Sequence, residues 1–247
     1  MSTPPQEPGR PLDFARAFRF VLDDPDWIKK VLIGGAFTLL AVPLVGAPFV
    51  MGYWVRLLRN VARGEVRPLP EWEDLGGLFG DGLRGLGVYL GHLVALMALP
   101  ASAGCVLALM VGFLGGAVRS GRGSDAAGML AGVGMIGVYA VGAVLMMVLT
   151  VYVPAALLRF ALYHKMRAGF EPREVVAVIQ RNLGNYLLAL VLYLVASFVA
   201  QFGILLCCIG LFPLSFWATC TLAWGLGEVA RRDPVLASYG APPALAP

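Results

Sequence analysis

Apolar residues in this chain fall into long runs, and short polar segments separate each run from the next. The first run begins after the acidic segment 24–27, bends around Pro43, Gly46 and Pro48, and ends among arginines near Arg63. The same order of acidic start, apolar run, Pro/Gly turn and basic end recurs loosely twice more. This pattern predicts three helical hairpins.

Six long helices follow from these hairpins. The first is short for a membrane span, because about 15 residues rise about 23 Å against about 30 Å of hydrocarbon. Pro100 and Pro154 are expected to kink the third and fourth helices, which are longer than a simple crossing needs. The expected ranges are about 28–42, 47–63, 84–118, 126–165 and 186–206, with the sixth running from the turn at 207–213 to about 230.

A shorter amphipathic segment precedes the first hairpin. Residues 13–22 place Phe14 and Phe18 on one helical face and Arg16 and Arg19 on the other. The pattern is typical of a short helix lying in the lipid headgroup region. A plain helix packed against the bundle fits three turns equally well.

The remaining segments complete the domain organisation. A second amphipathic helix is predicted from Pro172, inside the connector 164–181. Residues 1–12 and 233–247 are predicted to be disordered tails, which leaves 13–232 as one domain. The first 22 residues are polar and proline-rich, so we expect no cleavable signal peptide.

Composition decides the medium in which these helices fold. Hydrophobic residues make up 59% of the 247-residue chain and charged residues 14%, with a mean hydropathy of +0.77. A soluble protein of this size could not bury so much apolar surface in one core. The sequence therefore predicts an all-α, polytopic membrane helix bundle with six transmembrane helices in three hairpins and short interfacial amphipathic helices.

The distribution of charge predicts the orientation. Nineteen Lys and Arg stand against 15 Asp and Glu, and the basic residues lie at the ends of the apolar runs. All of them except Arg119 and Arg122 fall on segments that would share one side of the membrane. This bias predicts a multi-pass protein of the cell's inner (plasma) membrane with both termini in the cytoplasm, and it argues against nucleic acid as a partner.

Glycine is concentrated in the middle of the chain. Eighteen of the 31 glycines lie between Gly76 and Gly142. Pairs spaced four residues apart let membrane helices approach closely, so we expect the third and fourth helices to form the tightest pair. These pairs are Gly87/Gly91, Gly112/Gly116 and Gly128/Gly132.

Several segments resemble those of a known family. They are DDPDWIKKVLIGG (23–35), GYWVRLLRNVARGE (52–65), PLPEWEDLGGLFGDGL (68–83), VPAALLRFA (153–161) and the final NYLLALVL…CCIGLFPLSFW hairpin. On these residues the chain, from about Asp13 to Arg232, resembles the prokaryotic membrane-protein family catalogued as domain of unknown function 4013. The resemblance implies a multi-pass membrane protein and carries no assigned activity.

Ionisable residues inside apolar helices are the strongest candidates for function. Arg56, Arg159 and Glu228 occupy similar depths near the inner ends of the second, fourth and sixth helices. One hypothesis is that Glu228 pairs with Arg56 or Arg159 across the bundle interior and fixes helix register. The alternative is that all three side chains reach the headgroups separately.

A second group of basic residues is expected to contact anionic lipid headgroups on the cytoplasmic side. These residues lie in the amphipathic segment and at the inner ends of the first hairpin. They are Arg16, Arg19, Lys29, Lys30, Arg59 and Arg63.

Signatures of enzymes, metal sites and cofactor sites are not recognisable in the sequence. All four cysteines lie in apolar segments without a C-x-x-C spacing or a histidine cluster. No serine–histidine–acid set, phosphate loop or paired carboxylate presents itself. We therefore expect no enzymatic activity, no metal and no cofactor.

Two functions remain as expectations. The first is a non-enzymatic bundle that acts as a scaffold or regulator of membrane partners or lipids. The alternative is a transporter or permease of a small or lipidic molecule, which the repeated hairpins and kinked helices would suit. The lack of coupling carboxylates at mid-membrane favours the scaffold.

Overall fold

The computed structural model describes residues 12–118, 124–205 and 209–240, without the side chains of 99–101, 103, 106–118, 124–131 and 240. All regular elements in these residues are helices, which confirms the all-α class. Most of the predicted tails and the turn residues Cys207 and Cys208 lie outside the described part of the chain.

The helices follow the predicted hairpins. They are α1 Phe14–Arg19, α2 Trp27–Leu40, α3 Ala47–Ala62, α4 Leu75–Val118, α5 Ser124–Tyr163, α6 Met166–Gly169, α7 Pro172–Arg181, α8 Leu183–Gln201, α9 Leu211–Arg232 and α10 Ala237–Gly240, with a 3-10 helix Phe202–Leu205 after α8.

Capping explains where two helices begin. Asp13 accepts a hydrogen bond from the Arg16 amide at 3.2 Å and starts α1. Asp74 accepts from the Gly77 amide at 2.9 Å, so α4 begins at Leu75 rather than near 84. The glycine-rich segment 75–83 is therefore helical, although the expected third helix began only at about 84. The helical assignment also continues through Pro100 in α4 and Pro154 in α5.

The chain divides into two compact units. The first comprises residues 1–88 and 154–247, and the second comprises 89–153. In the first unit α9 is the central helix, and it packs against α8, α3 and α2. Its core includes the fully buried rings of Tyr53 and Phe216, whose centroids lie 5.1 Å apart.

The second unit contains the remaining parts of α4 and α5. The buried His92 ring lies 5.3 Å from the Tyr152 ring. Many apolar side chains of α5 are exposed, including Ile136 and Met147. No atom lies within 4 Å of a Cβ built on Gly132, so the close helix approach expected at this glycine is not seen.

Glycine-mediated packing occurs instead between α3 and the start of α4. A Cβ on Gly52 would collide with the carbonyl oxygen of Leu78, and a Cβ on Gly82 with that of Pro48. These two helices therefore cross backbone against backbone. This crossing holds α4 beside the basic end of α3 and so positions the charged groups described below.

Two helical stretches in the described residues are long and apolar enough to cross a membrane. They are Gly132–Tyr163 and Leu183–Leu205. Helices α2 and α3 have 14 and 16 residues, which corresponds to about 21 and 24 Å. Helix lengths alone therefore support fewer spans than the six expected.

The predicted C-terminal tail begins too early. Residues 233–240 are folded, because Asp233 and Leu236 are completely buried and α10 follows them. The prediction of disorder from 233 is wrong for these eight residues, and 241–247 lie outside the described chain.

The crossing of α3 and α4 gives a first prediction. Gly82→Ala should lower the free energy of unfolding by about 1–3 kcal/mol, because the new methyl group meets rigid backbone. Gly80→Ala in the same helix is the matched control, since its Cβ meets no atom within 4 Å, and it should be neutral or stabilise by up to about 1 kcal/mol. Unfolding of the detergent-purified variants measures both. Equal effects of the two substitutions would contradict the crossing.

Candidate functional site

The basic end of α3 carries the densest cluster of charges. Arg56 contacts Asp74 at 2.7 Å and Asp81 at 3.3 Å. Arg59 contacts the same Asp81 carboxylate at 3.2 Å and donates from Nε to the carbonyl oxygen of Ala161 at 2.6 Å. Asp81 therefore joins the guanidinium groups of Arg56 and Arg59, and Arg84 of the same helix lies 3.9 Å from it. Arg59 is buried.

Lys30 forms a second buried cluster on α2. Its ammonium nitrogen lies 2.8 Å from Asp24 and 2.6 Å from Glu71, and it donates to the carbonyl oxygen of Leu69 at 3.2 Å. The Trp72 indole donates to the Lys30 carbonyl oxygen at 3.1 Å. The connector between α3 and α4 thus closes over the start of α2.

Arg159 is paired with the connector that follows α5. It contacts Glu171 at 2.8 Å and donates from Nε to the carbonyl oxygen of Ala168 at 3.0 Å. Its guanidinium carbon lies 4.9 Å from the centre of the Tyr163 ring, within the range of a cation–π contact. The side chain is only 4% exposed.

Glu228 does not pair with Arg56 or Arg159, so that hypothesis is wrong. It contacts Arg231 at 3.0 Å and Arg232 at 3.1 Å, three and four residues further along α9. Residues at this spacing share a helix face, so a local partner is available without crossing the bundle. The alternative, in which the three side chains reach the headgroups separately, also does not describe the paired and buried Arg159 and Glu228.

The basic residues expected to contact lipid divide into two classes. Lys30 and Arg59 are buried in ion pairs, so the expectation that they bind headgroups is wrong for both. The other four have exposed side chains, and lipid contact remains a prediction for them. They are Arg16, Arg19, Lys29 and Arg63.

A pocket lies in the first unit, beside the basic ends of α3 and α9. Phe20 and Trp224 form its aromatic wall, with ring centroids 5.8 Å apart. Arg16 of α1 and Glu228 and Arg231 of α9 also line this pocket. In the described residues, no group of three or more His, Cys, Asp or Glu side chains is placed to hold a metal ion.

Asp233 is a site residue that sequence reasoning missed. It accepts hydrogen bonds from Arg181 at 3.2 Å, Asn182 at 2.5 Å and the amides of Val235 at 2.8 Å and Leu236 at 3.1 Å. Burial alone would raise its pKa, but these four donors outweigh burial and lower the pKa of Asp233 below its usual value. This carboxylate joins the end of α9 to the junction of α7 and α8.

Most of the carboxylates that organise the site share one sequence signal. Five of the six lie in a connector or at a helix boundary, and Asp81 lies in the second turn of α4. The pairing of Glu71 and Asp74 with Lys30 and Arg56 is not visible in the spacing of these residues along the chain. The full set is Asp24, Glu71, Asp74, Asp81, Glu171 and Asp233.

Comparison with known proteins identifies the family. The family model described as "Protein of unknown function (DUF4013)" matches residues 36–209. The chain belongs to this family. The match is narrower than the resemblance seen from about 13 to 232, and it leaves out the acidic start at 24–27. No curated protein and no solved structure matches the chain.

The stability of the DUF4013 protein should depend on Asp81, the carboxylate of α4 that contacts both Arg56 and Arg59. Asp81→Ala leaves buried Arg59 without its ion pair, which typically costs about 3–5 kcal/mol. Glu73→Ala is the matched control, because this carboxylate is exposed, and it should change stability by less than about 0.5 kcal/mol. Denaturant unfolding in detergent measures the difference. Similar losses from the two variants would contradict the role of Asp81.

Asp233 should make stability depend on pH. Because its pKa is lower in the folded than in the unfolded state, where Asp titrates near about 3.9, it stabilises the fold above that pH. This contribution is lost as the pH falls through the folded pKa. The difference in unfolding free energy between the wild type and Asp233→Asn should be constant from neutral pH to about 5 and shrink below about 4. A difference that does not change with pH would contradict the assignment.

Proposed function

We propose that this DUF4013 protein is a multi-pass protein of the plasma membrane that acts without catalysis as a scaffold or regulator of membrane partners or lipids. Its six apolar helices would lie in the membrane as three hairpins, with both termini in the cytoplasm. Anionic headgroups would bind to the exposed basic residues at the cytoplasmic end.

The outward-facing apolar surface of the long helices carries this proposal. In the apolar windows of Gly132–Tyr163 and Leu183–Leu205, only 28% and 33% of the residues are buried. The core helix of a soluble protein would be mostly buried. Leu194 and Phe198 of α8, for example, are 57% and 66% exposed. Lipid is the solvent that such surfaces suit.

The first amphipathic helix supports the contact with headgroups. Phe18 of α1 packs against Trp217 of α9 at 5.6 Å, so α1 lies along the bundle with Arg16 and Arg19 exposed. Lys29 is exposed at the start of α2. Each such cation near an anionic surface is worth about 1 kcal/mol.

The ion pairs favour a fixed bundle over a carrier. Arg59 and Arg159 each connect a helix to a different segment of the chain, and Asp233 joins α9 to α7 and α8. A carrier must rearrange such contacts during each cycle, and separating a buried pair is costly. The transporter alternative therefore enters as an outcome of the experiment below.

Membrane extraction, protease digestion of terminal tags, and purification in mild detergent together test the proposal. We expect the protein to stay in membranes washed with alkaline carbonate, and we expect tags at both termini to be digested only after the cell interior is opened. Mass spectrometry of the purified sample should find anionic lipid or a membrane protein bound. Release by carbonate would contradict the membrane location, whereas solute uptake into liposomes containing the protein would favour a transporter.

A charge-matched pair of variants tests the lipid contact. The triple substitution Arg16→Gln, Arg19→Gln and Lys29→Gln should reduce the anionic lipid that co-purifies, by about 1 kcal/mol of binding for each lost charge. The control removes three other exposed cations, Arg67, Lys165 and Arg173. If the two triple variants lose the same amount of lipid, total charge rather than this surface is responsible.

A further inference from the structure

We infer that the hairpin of α2 and α3 is re-entrant: it enters and leaves the membrane through the cytoplasmic face, and its tip ends among the acyl chains. The tip is residues 41–46, between Leu40 and Ala47. The inference rests on the proposed membrane location. It leaves the sides of the two termini unchanged, because a hairpin returns to the side from which it came.

The apolar part of the hairpin is too short to cross the bilayer. Lys30 on α2 and Arg56 on α3 are the charged residues nearest to the tip. The helical segments between them and the tip are 31–40 and 47–55. Ten residues of helix rise about 15 Å, which is half of the roughly 30 Å of hydrocarbon.

Exposed carboxylates fix the level of water on this hairpin. Glu71 contacts Lys30 and its side chain is 63% exposed. Asp74 contacts Arg56 and its side chain is 65% exposed. Moving such carboxylates into hydrocarbon is too costly. The membrane surface must therefore lie level with these ion pairs or between them and the tip. The hairpin therefore cannot gain length by sinking further into the bilayer.

The tip has the composition of a surface covered by lipid. From Leu39 to Val50 the chain contains no polar side chain. Val42, Leu44 and Val45 are 74%, 75% and 63% exposed. A turn in water at the far membrane face would leave these three side chains against solvent, whereas acyl chains bury them at about 25 cal/mol per Å².

Most backbone amides of the tip have hydrogen-bond partners inside the hairpin, as a segment in lipid requires. An irregular backbone is excluded from lipid unless its polar groups find internal partners. The Thr38 hydroxyl donates to the Gly34 carbonyl oxygen at 2.8 Å, and Pro43 has no amide hydrogen. Four of the five amide N–H groups of the tip donate to carbonyl oxygens within the hairpin: Ala41 to Thr38, Val42 to Leu39, Leu44 to Ala41 and Gly46 to Leu40, at 2.9 to 3.2 Å.

Site-directed labelling in sealed membranes tests the inference. Val42→Cys and Val45→Cys are made in a chain whose four native cysteines are replaced by alanine, and a membrane-impermeant maleimide is applied from each face. We expect neither cysteine to be labelled from either face in sealed membranes, and both to be fully labelled after denaturation in SDS. Glu73→Cys in the exposed connector is the control, and it should react from the cytoplasmic face only.

A second measurement gives the depth directly. Nitroxide spin labels on the same two cysteines should be accessible to dissolved oxygen and inaccessible to a water-soluble nickel chelate. Labelling from the outer face would show that the hairpin spans, and labelling from the inner face would place its tip in water; either result overturns the inference. Release of the protein by carbonate would instead overturn the membrane location itself.

Discussion

The structure depends on the rule that a cation taken out of water needs an anion beside it. Packing removes three basic residues of the apolar helices from solvent: Lys30, Arg59 and Arg159. The connectors supply the carboxylates: Glu71 reaches Lys30, and Glu171 reaches Arg159. At Asp233 the roles are reversed, because the buried carboxylate is paired with the exposed Arg181. Because of this pairing, segments that would otherwise be loops are folded onto the ends of the helices, and the helices are held in register.

The helices themselves could be predicted from the sequence, because apolar runs and Pro/Gly turns are local signals. The bounds of α2 and α3 agree with expectation to within about two residues. The ion pairs could not be predicted in the same way. Glu228 has cations available on its own helix, and the partner of Arg59 lies 22 residues away on α4. Choosing between such partners requires the packing that brings them together.

The basic residues of this DUF4013 protein have two different physical roles. Lys30, Arg59 and Arg159 are buried and neutralised, so they stabilise the bundle and have little charge left for a ligand. Arg16 and Arg19 project from the short helix α1 and keep their charge exposed. The protein therefore presents fewer free cations to its surroundings than its 19 Lys and Arg suggest. The exposed cations are the ones to compare within the family.

Trp72 shows how far one connector belongs to the interior. Its ring stacks on Phe37 at 5.0 Å and on Tyr53 at 4.5 Å, while its indole N–H bonds to α2. Within this connector Trp72 therefore packs between α2 and α3. An epitope or a fluorescent protein inserted beside Trp72 would displace its ring from between the two helices. This connector is therefore the wrong place to add a reporter, although it is polar in sequence.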